Sequence, residues 1–550
     1  MNKIPARLWT LAALSGLLQI LPFPIAGPTP AWRTSFCWVA LIPLLSALLA
    51  EDKQGRPLRI RQGAALGYLS GIIWYLGNCY WIYQTMYLYG GLPKPVAAGI
   101  LVLFCFYLGL YHLLFGALIV ILRLRLGHRC RALVLSPFVW VAVELARAHI
   151  TGFPWDLLGI SQVNSSLACR LAPYTGAYGV SFAIVVVNAV LITFWLTRSR
   201  IRHEQSYRRR ILAMVAVGLV VYFFPFITKT NPGRARATLV QENLEIGALA
   251  TERPTLPQML ESFSYLSLNT GDSQILGIPG QRNVPKFIVP LWGRSLPTNV
   301  IVWPESPASF QEDNPQFRTA LSSLARKANA PIIAGSIAVI QAADNPRGYF
   351  LLNSAAFVTP QGEFAGRYDK MHLVPFGEYV PFQRLFFFAG SLLQDVGDFK
   401  PGTNRTIFSV NGHHYGTFIC YESIFGDEVR HFVQQGAEVL VNISNDGWYG
   451  DTSAPWQHLD MVRMRAIENH RWILRATNTG ITASIDPAGR VVLAAPRHVR
   501  TSIQVGFNYE NKLTFYTKHG DLFAYGCALV TLLALAYGMR RRLAVNYKQI

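Results

Sequence analysis

The sequence predicts a two-part protein: a multi-pass α-helical membrane domain of eight spans, and an outward-facing α/β domain placed before the last span. Three observations predict it. Of 550 residues, 51% are hydrophobic and only 15% charged, where an ordinary soluble domain has about a quarter charged. The apolar excess is gathered into runs of roughly twenty residues, the length that crosses a bilayer core. Between the last two runs lies a long stretch in which β-like and helix-like segments alternate, the pattern of layered α/β domains.

The apolar runs fall at about 5–25, 31–50, 64–86, 96–122, 132–149, 178–197, 211–228 and 521–539. The formal net charge is +20, yet segment 229–520 holds 26 Lys/Arg against 24 Asp/Glu. The excess therefore sits in short loops: "EDKQGRPLRIR", "RLRLGHRCR", "TRSRIRHEQSYRRR" and the "RRR" after the last span. The positive-inside rule turns these loops and the N-terminus toward the cytoplasm. Both termini are then inside and 229–520 outside. Three units follow: 1–228, 229–520 and 521–550. No basic face remains on the outward part, which disfavours nucleic acid as a partner. The start "MNKIPARLWTLAALSGLL" is signal-like, but a cut after Ala26 would put Pro24 at the minus-three position. A retained anchor fits better.

Within the outward part, "ATLVQ" (237–241), "TNVIVWPE" (298–305) and "PIIAGSIAVI" (331–340) are predicted strands, the second apolar enough to be buried on both faces. "PQFRTALSSLARKAN" (315–329) has helical spacing. "YFLLNSAAFVTP", a turn at "QGE" and "FAGRYDKMHLVPFGE" follow. "HYGTFICYE" leads to the helix "GDEVRHFVQQGA", the strand "EVLVNISND", the helix "APWQHLDMVRMRAIENHR" and a hairpin-like pair ending in "RVVLAAP". The segment 378–397, with Phe386, Phe387 and Phe388, reads either as a core helix or as an arm touching lipid; 285–297 is a weaker candidate for such an arm.

Seven cysteines are present, and only Cys420 lies in the outward part, with no disulfide partner there. It is either buried and inert or kept for chemistry. Three apolar strands end in a reactive group: Glu305 after "VIVWP", Lys370 (with Glu378 beyond it) after "GRYD", and Cys420 followed by Glu422 in "FICYES". Side chains at strand ends are the ones that face a cleft. Taken singly, each has a plain reading as a buried thiol, a loop carboxylate or a surface lysine. Taken together they are self-consistent without a metal or other cofactor. Glu305 can take the thiol proton, and Lys370 with backbone N–H groups after Cys420 can stabilise a tetrahedral oxyanion.

"WPES", "DKMHLVPFGEYVPF" and "CYES" resemble the Glu–Lys–Cys motifs of the nitrilase, or carbon–nitrogen hydrolase, superfamily. The loop "NDGWYGDTSAPWQHLDMVRMRAIENHRWILRATNTG" adds to the likeness. With the membrane spans, and with "GFPWDLLG" and "YGVSF", almost the whole chain resembles the apolipoprotein N-acyltransferase family. The resemblance implies an extracytoplasmic αββα sandwich domain, a bacterial inner membrane and a two-step reaction. Cys420 would take an acyl chain from a phospholipid as a thioester and pass it to the α-amine of a diacylglyceryl-modified apolipoprotein. Glu305 would be base and acid, and Lys370 would polarise the carbonyl. Glu378 would orient Lys370, and Tyr421, Glu422 and Trp448 would line the site. The family's Lys-Trp pair after its "VQ" strand has no counterpart in "VQENLEIGALATERPTLPQML".

Glu144 lies inside the fifth run, where a carboxylate is a functional candidate, but Arg147 three residues on has the spacing of a helix-face ion pair, the simpler account. His413 and His414 are adjacent and point to opposite strand faces, and His372 and His458 have no ligand-like spacing around them, so a metal site is disfavoured. Two rival readings remain: a membrane-tethered nitrilase-type amidase, and a transporter or receptor whose outer domain only binds.

Overall fold

The computed structural model describes residues 3–203, 233–245, 254–270, 297–305, 310–343, 348–375, 377–379 and 399–547. The run at 211–228 and both predicted arms, 285–297 and 378–397, lie outside the described residues apart from their ends.

Helices form where the apolar runs were read. Ala6–Ile20, Ile60–Asn78, Lys94–Leu126, Arg129–Ala146, Ala172–His203 and Leu522–Tyr547 are α-helical. Among the described residues, five helical stretches are long and apolar enough to cross a membrane: Ala31–Leu48, Lys94–Leu126, Arg129–Thr151, Ala168–Leu196 and Leu522–Arg540. The second run is broken into the short helices Ala31–Thr34, Cys37–Ala40 and Ile42–Leu48. Two of these helices approach until their backbones touch. A Cβ at Gly67 would lie 2.2 Å from the His112 carbonyl oxygen, and one at Gly116 would lie 2.3 Å from that of Gly63. Small residues permit such contact where lipid offers no hydrophobic drive to associate.

The expected Glu144–Arg147 ion pair does not form. Glu144 Oε1 instead accepts from the Leu158 N–H at 2.7 Å, while Arg147 donates to the Tyr75 hydroxyl at 3.2 Å and lies over the Trp74 ring. Each side chain is taken by a partner from another segment, Arg147 also facing the Tyr75 ring, and the helix passes into a π turn at Arg147–Thr151.

The remaining chain forms two six-stranded sheets. The first has the order β12-β1-β2-β3-β4-β5, with β1 Ala235–Gln241, β2 Val300–Val302, β3 Ile332–Gln341, β4 Tyr349–Val358, β5 Phe364–Asp369 and β12 Thr501–Phe507. The second runs β11-β10-β9-β8-β7-β6, with β6 Ile407–Val410, β7 His413–Ile419, β8 Val439–Ser444, β9 Ile473–Thr477, β10 Ala483–Ile485 and β11 Val491–Ala494. Their inner faces share one core. Leu239, Val302, Ile333 and Phe357 from the first sheet meet Ile419, Val441, Ile443 and Leu474 from the second. The alternate residues Val240, Ile301, Ile332 and Val358 turn outward against the helices Leu256–Leu268 and Pro315–Ala328. Alternation of this kind makes one sheet serve two apolar layers.

Two differences from the sequence reading have local causes. Strand β2 stops at Val302 rather than 305, because Pro304 has no N–H to extend the ladder. Helix Leu256–Leu268 starts within the divergent stretch after β1, behind a Thr255–Gln258 capping box.

The second sheet's outer helix, Ala454–Asn469, is buried along most of its length, with Met461, Met464 and Ile467 sharing a core with the membrane helices. Gln457 stitches the two parts polar group by polar group. Its Nε2 donates to the Asn78 and Pro24 carbonyls at 3.0 and 3.2 Å, and its Oε1 accepts from Trp155 Nε1 at 2.8 Å.

Candidate active site

Three parallel strands, β7, β8 and β9, run side by side, as do β1, β2 and β3 in the opposite sheet. Parallel strands leave their C-terminal ends free to present side chains to a common cleft. Glu305 follows β2, Cys420 follows β7, and Asn445 and Asp446 follow β8. Lys370 follows β5, anchored by its N–H on the Asn353 carbonyl at 2.8 Å.

The charged half of the site comes from the first sheet. Lys370 Nζ lies 3.3 Å from Glu305 Oε1 and 3.0 Å from Glu378 Oε1. Asn353 of β4 bridges the same two carboxylates, its Nδ2 donating at 2.7 Å to Glu305 and 2.6 Å to Glu378. The far oxygens are held by main chain: Glu305 Oε2 accepts from Asn445 N at 2.8 Å and Glu378 Oε2 from Val374 N at 2.7 Å. Lys370 is only 1% exposed. Burial alone would drive its proton off, but Glu378 and Glu305 overcome that and hold the ammonium above its ordinary value.

The sulfur comes from the second sheet. Cys420 opens the 3₁₀ turn Cys420–Ile424 directly after β7, with φ +49°, a left-handed conformation that a side chain with a Cβ occupies at a cost. Burial, together with the negative charge of Glu305, pushes its thiol well up, while the Lys370 charge pulls the other way. Both charged groups therefore act on the sulfur. At neutral pH the group rests as a thiol and needs a base before it can attack.

Glu422 joins the halves. Its Oε1 accepts from the Tyr368 hydroxyl at 2.6 Å and from the N–H groups of Met371 and His372 at 2.7 and 3.2 Å, just past Lys370. Its Oε2 accepts from Ile419 N, just before Cys420, at 2.7 Å. One carboxylate thus fixes the lysine loop to the cysteine strand.

Of the other candidates, Tyr421 reaches toward the membrane part, its hydroxyl donating to the Gly152 carbonyl at 3.2 Å. Trp448 is 45% exposed and meets Tyr89 edge-on at 6.4 Å, so it stands at the rim and not among the charged groups. His413 faces Glu438 at 3.0 Å and stacks on Tyr509. No cluster of three metal-binding side chains occurs among the described residues. Asn353 escaped the sequence reading. Its one signal is a lone amide at the centre of the apolar strand "YFLLNSAAF".

Residues 284–507 match the carbon-nitrogen hydrolase family model, and residues 15–190 match that of the apolipoprotein N-acyltransferase N-terminal domain. The apolipoprotein N-acyltransferase of Geobacter metallireducens is 33% identical, over 98% of this chain and 97% of its own. That of Methylococcus capsulatus is 32% identical, again over 98% and 97%. Among solved structures, a variant of the amidase from Nesterenkonia sp. AN1 aligns with 54% of this chain and 99% of its own, at 15% identity and a TM-score of 0.36. Two relatives above 30% identity along nearly the whole length settle the assignment: the chain belongs to the apolipoprotein N-acyltransferase family, an acyltransferase family built on a nitrilase-like domain.

Proposed function

We propose that this enzyme transfers an acyl chain from a phospholipid to the α-amine of a diacylglyceryl-cysteine lipoprotein, through a thioester on Cys420. The observation that carries the reading is the buried Glu305–Lys370–Glu378 cluster whose charges act on a strained, buried thiol. In the first step the Glu305 carboxylate takes the thiol proton as sulfur bonds to the ester carbonyl carbon. The oxyanion that develops faces the Lys370 ammonium, helped by main-chain N–H groups of the turn after Cys420. Collapse breaks the ester C–O bond, Glu305 returns the proton to the departing glycerol oxygen, and lysophospholipid leaves. In the second step the lipoprotein amine attacks the thioester. Glu305 takes a proton from nitrogen, the C–N bond forms, the C–S bond breaks, and sulfur recovers its proton. Glu378 orients Lys370, while Tyr421, Glu422 and Trp448 shape the approach.

The same reading extends to topology. Residues 1–228 and 521–550 form eight spans in a bacterial inner membrane with both termini cytoplasmic, and 229–520 face the periplasm. The loop charges support this orientation, and the shared core of helix Ala454–Asn469 with the long apolar helices supports a cleft close to the lipid surface. An amidase of soluble substrates has no use for that placement.

The test supplies purified protein in detergent with phospholipid and a synthetic diacylglyceryl-cysteine peptide. An amide-linked third chain on the peptide, formed together with lysophospholipid, is the expected result. Release of free fatty acid at the same rate with or without the peptide would favour a hydrolase instead.

A further inference from the structure

Bonded to the turn that carries Cys420 lies a second polar cluster that the acyl-transfer steps do not use. His458, Asp446 and Arg475 are fully buried. Arg475 Nη2 donates to Asp446 Oδ2 at 2.6 Å, and Asp446 Oδ1 lies 2.9 Å from His458 Nδ1. Asp446 Oδ1 also accepts from the Ser444 hydroxyl at 2.8 Å. Arg475 Nη2 is 3.3 Å from the same His458 nitrogen. The other ring nitrogen, Nε2, faces the Ser423 hydroxyl at 2.6 Å and the Cys420 carbonyl oxygen at 3.1 Å. A carbonyl oxygen only accepts, so the last contact requires a proton on Nε2.

The ring is fixed on its faces as well. Trp155, from the "GFPWDLLG" loop of the membrane part, stacks on it with centroids 5.9 Å apart and planes 19° apart, and Tyr449 meets it edge-on at 6.1 Å. A left-handed cysteine persists only where its surroundings over-determine it. Here Glu422 holds the N–H of the residue before Cys420, and His458 holds the carbonyl of Cys420 itself.

We propose that His458 is the positioning residue of Cys420: its Nε2–H grips the Cys420 carbonyl, Asp446 and Arg475 hold the ring, and Trp155 of the membrane part caps it. The proposal rests on Cys420 being the acyl carrier. It also gives the membrane loop "GFPWDLLG" a part in the chemistry, since displacing Trp155 releases the ring that aims the sulfur. A support shell that locks the reacting atom in place matters because a displacement of about 1 Å can cost on the order of 10²-fold in rate.

The experiment compares His458→Asn with His458→Gln in the full-length enzyme in detergent, using phosphatidylethanolamine with a labelled acyl chain as donor. The glutamine amide nitrogen reaches the place of Nε2, while the shorter asparagine stops at the place of Nδ1. His458→Asn is expected to slow Cys420 acylation at saturating lipid by on the order of 10²-fold with KM unchanged, and His458→Gln to recover most of that loss. Equal losses in both variants, a change confined to KM, or full activity in His458→Asn would overturn the proposal. If His458→Asn does not fold, Trp155→Leu decides: a fall in kcat at constant KM supports the proposal and an unchanged kcat overturns it. Failure of the wild-type protein to carry any acyl group on Cys420 would sink the functional reading instead, so the two failures are distinguishable.

Discussion

The two sheets divide the labour of the site unequally. The first, β12-β1-β2-β3-β4-β5, lends charge: Glu305, Lys370 and Asn353 all stand on it or at its ends. The second, β11-β10-β9-β8-β7-β6, lends the sulfur and the Asp446–Arg475–His458 cluster bonded to its turn. The ion pairs of Lys370 with Glu305 and Glu378 belong to the first half and that of Arg475 with Asp446 to the second, while Glu422 crosses between them.

Removing the second sheet's contribution is the sharpest way to probe this division. Cys420→Ala leaves the Glu305–Lys370–Glu378 cluster intact and keeps the Cβ, with it the left-handed strain, so acyl transfer falls by at least ~10⁴-fold while the apparent unfolding temperature changes little. Product assay and thermal unfolding of the same preparation check both halves. Lys370→Met breaks the other side, with a different signature. It strands Glu305 and Glu378 facing one another, so activity falls by about 10²–10³-fold and stability by roughly 3–5 kcal/mol. Equal stability in the two variants would contradict the division into paired halves.

Glu422→Gln targets the link between the sheets. One amide oxygen cannot serve both the Lys370 loop and the Ile419 N–H, so a buried donor is orphaned at about 1–3 kcal/mol, with a drop in activity near tenfold. Denaturant unfolding and the acylation rate measure the two.

The smallest effect on activity belongs to the outer layers. The second sheet's outer helix is pressed against the membrane part, where Glu468 Oε1 accepts from Ala177 N at 2.9 Å beside Arg465. Burial, against the opposing charge of Arg465, raises the Glu468 carboxyl to about 7. The folded state then keeps a proton that the unfolded chain releases near pH 4.3. The stabilisation is full below that value and is lost as pH rises through about 7, a change of order 3 kcal/mol. Apparent melting temperature should fall by a few degrees from pH 5 to pH 8, and Glu468→Gln, which keeps the acceptor oxygen, should flatten the profile. A profile no flatter in that variant would assign the pH dependence to another group.

What the sequence made legible follows from where the information sits along the chain. Glu305, Lys370 and Cys420 follow strands, a pattern that pointed to a cleft only when the three were taken together, and the structure sets Lys370 against Glu305 with both charges acting on the Cys420 thiol. Glu378 and Glu422 stood out through family resemblance, and the geometry shows each making main-chain bonds that no spacing rule reveals. Asn353 and the Asp446–His458–Arg475 cluster were illegible because their meaning lies in contacts between separate strands and a helix. His458 looked uninformative for lack of ligand-like spacing, yet its partners lie twelve and seventeen residues away. The Glu144–Arg147 pair failed for the same reason: the Leu158 N–H and the Tyr75 hydroxyl that take the two side chains come from other segments.

The central claim is that Cys420 carries the acyl chain covalently, and mass analysis of the Cys420 peptide after incubation with phospholipid alone tests it most directly. The account predicts one acyl mass on that peptide, released as thiol by hydroxylamine and absent from Glu305→Gln under the same brief exposure. Transfer of acyl chain to a lipopeptide amine by an enzyme whose Cys420 never gains that mass, or by Cys420→Ala, would contradict it.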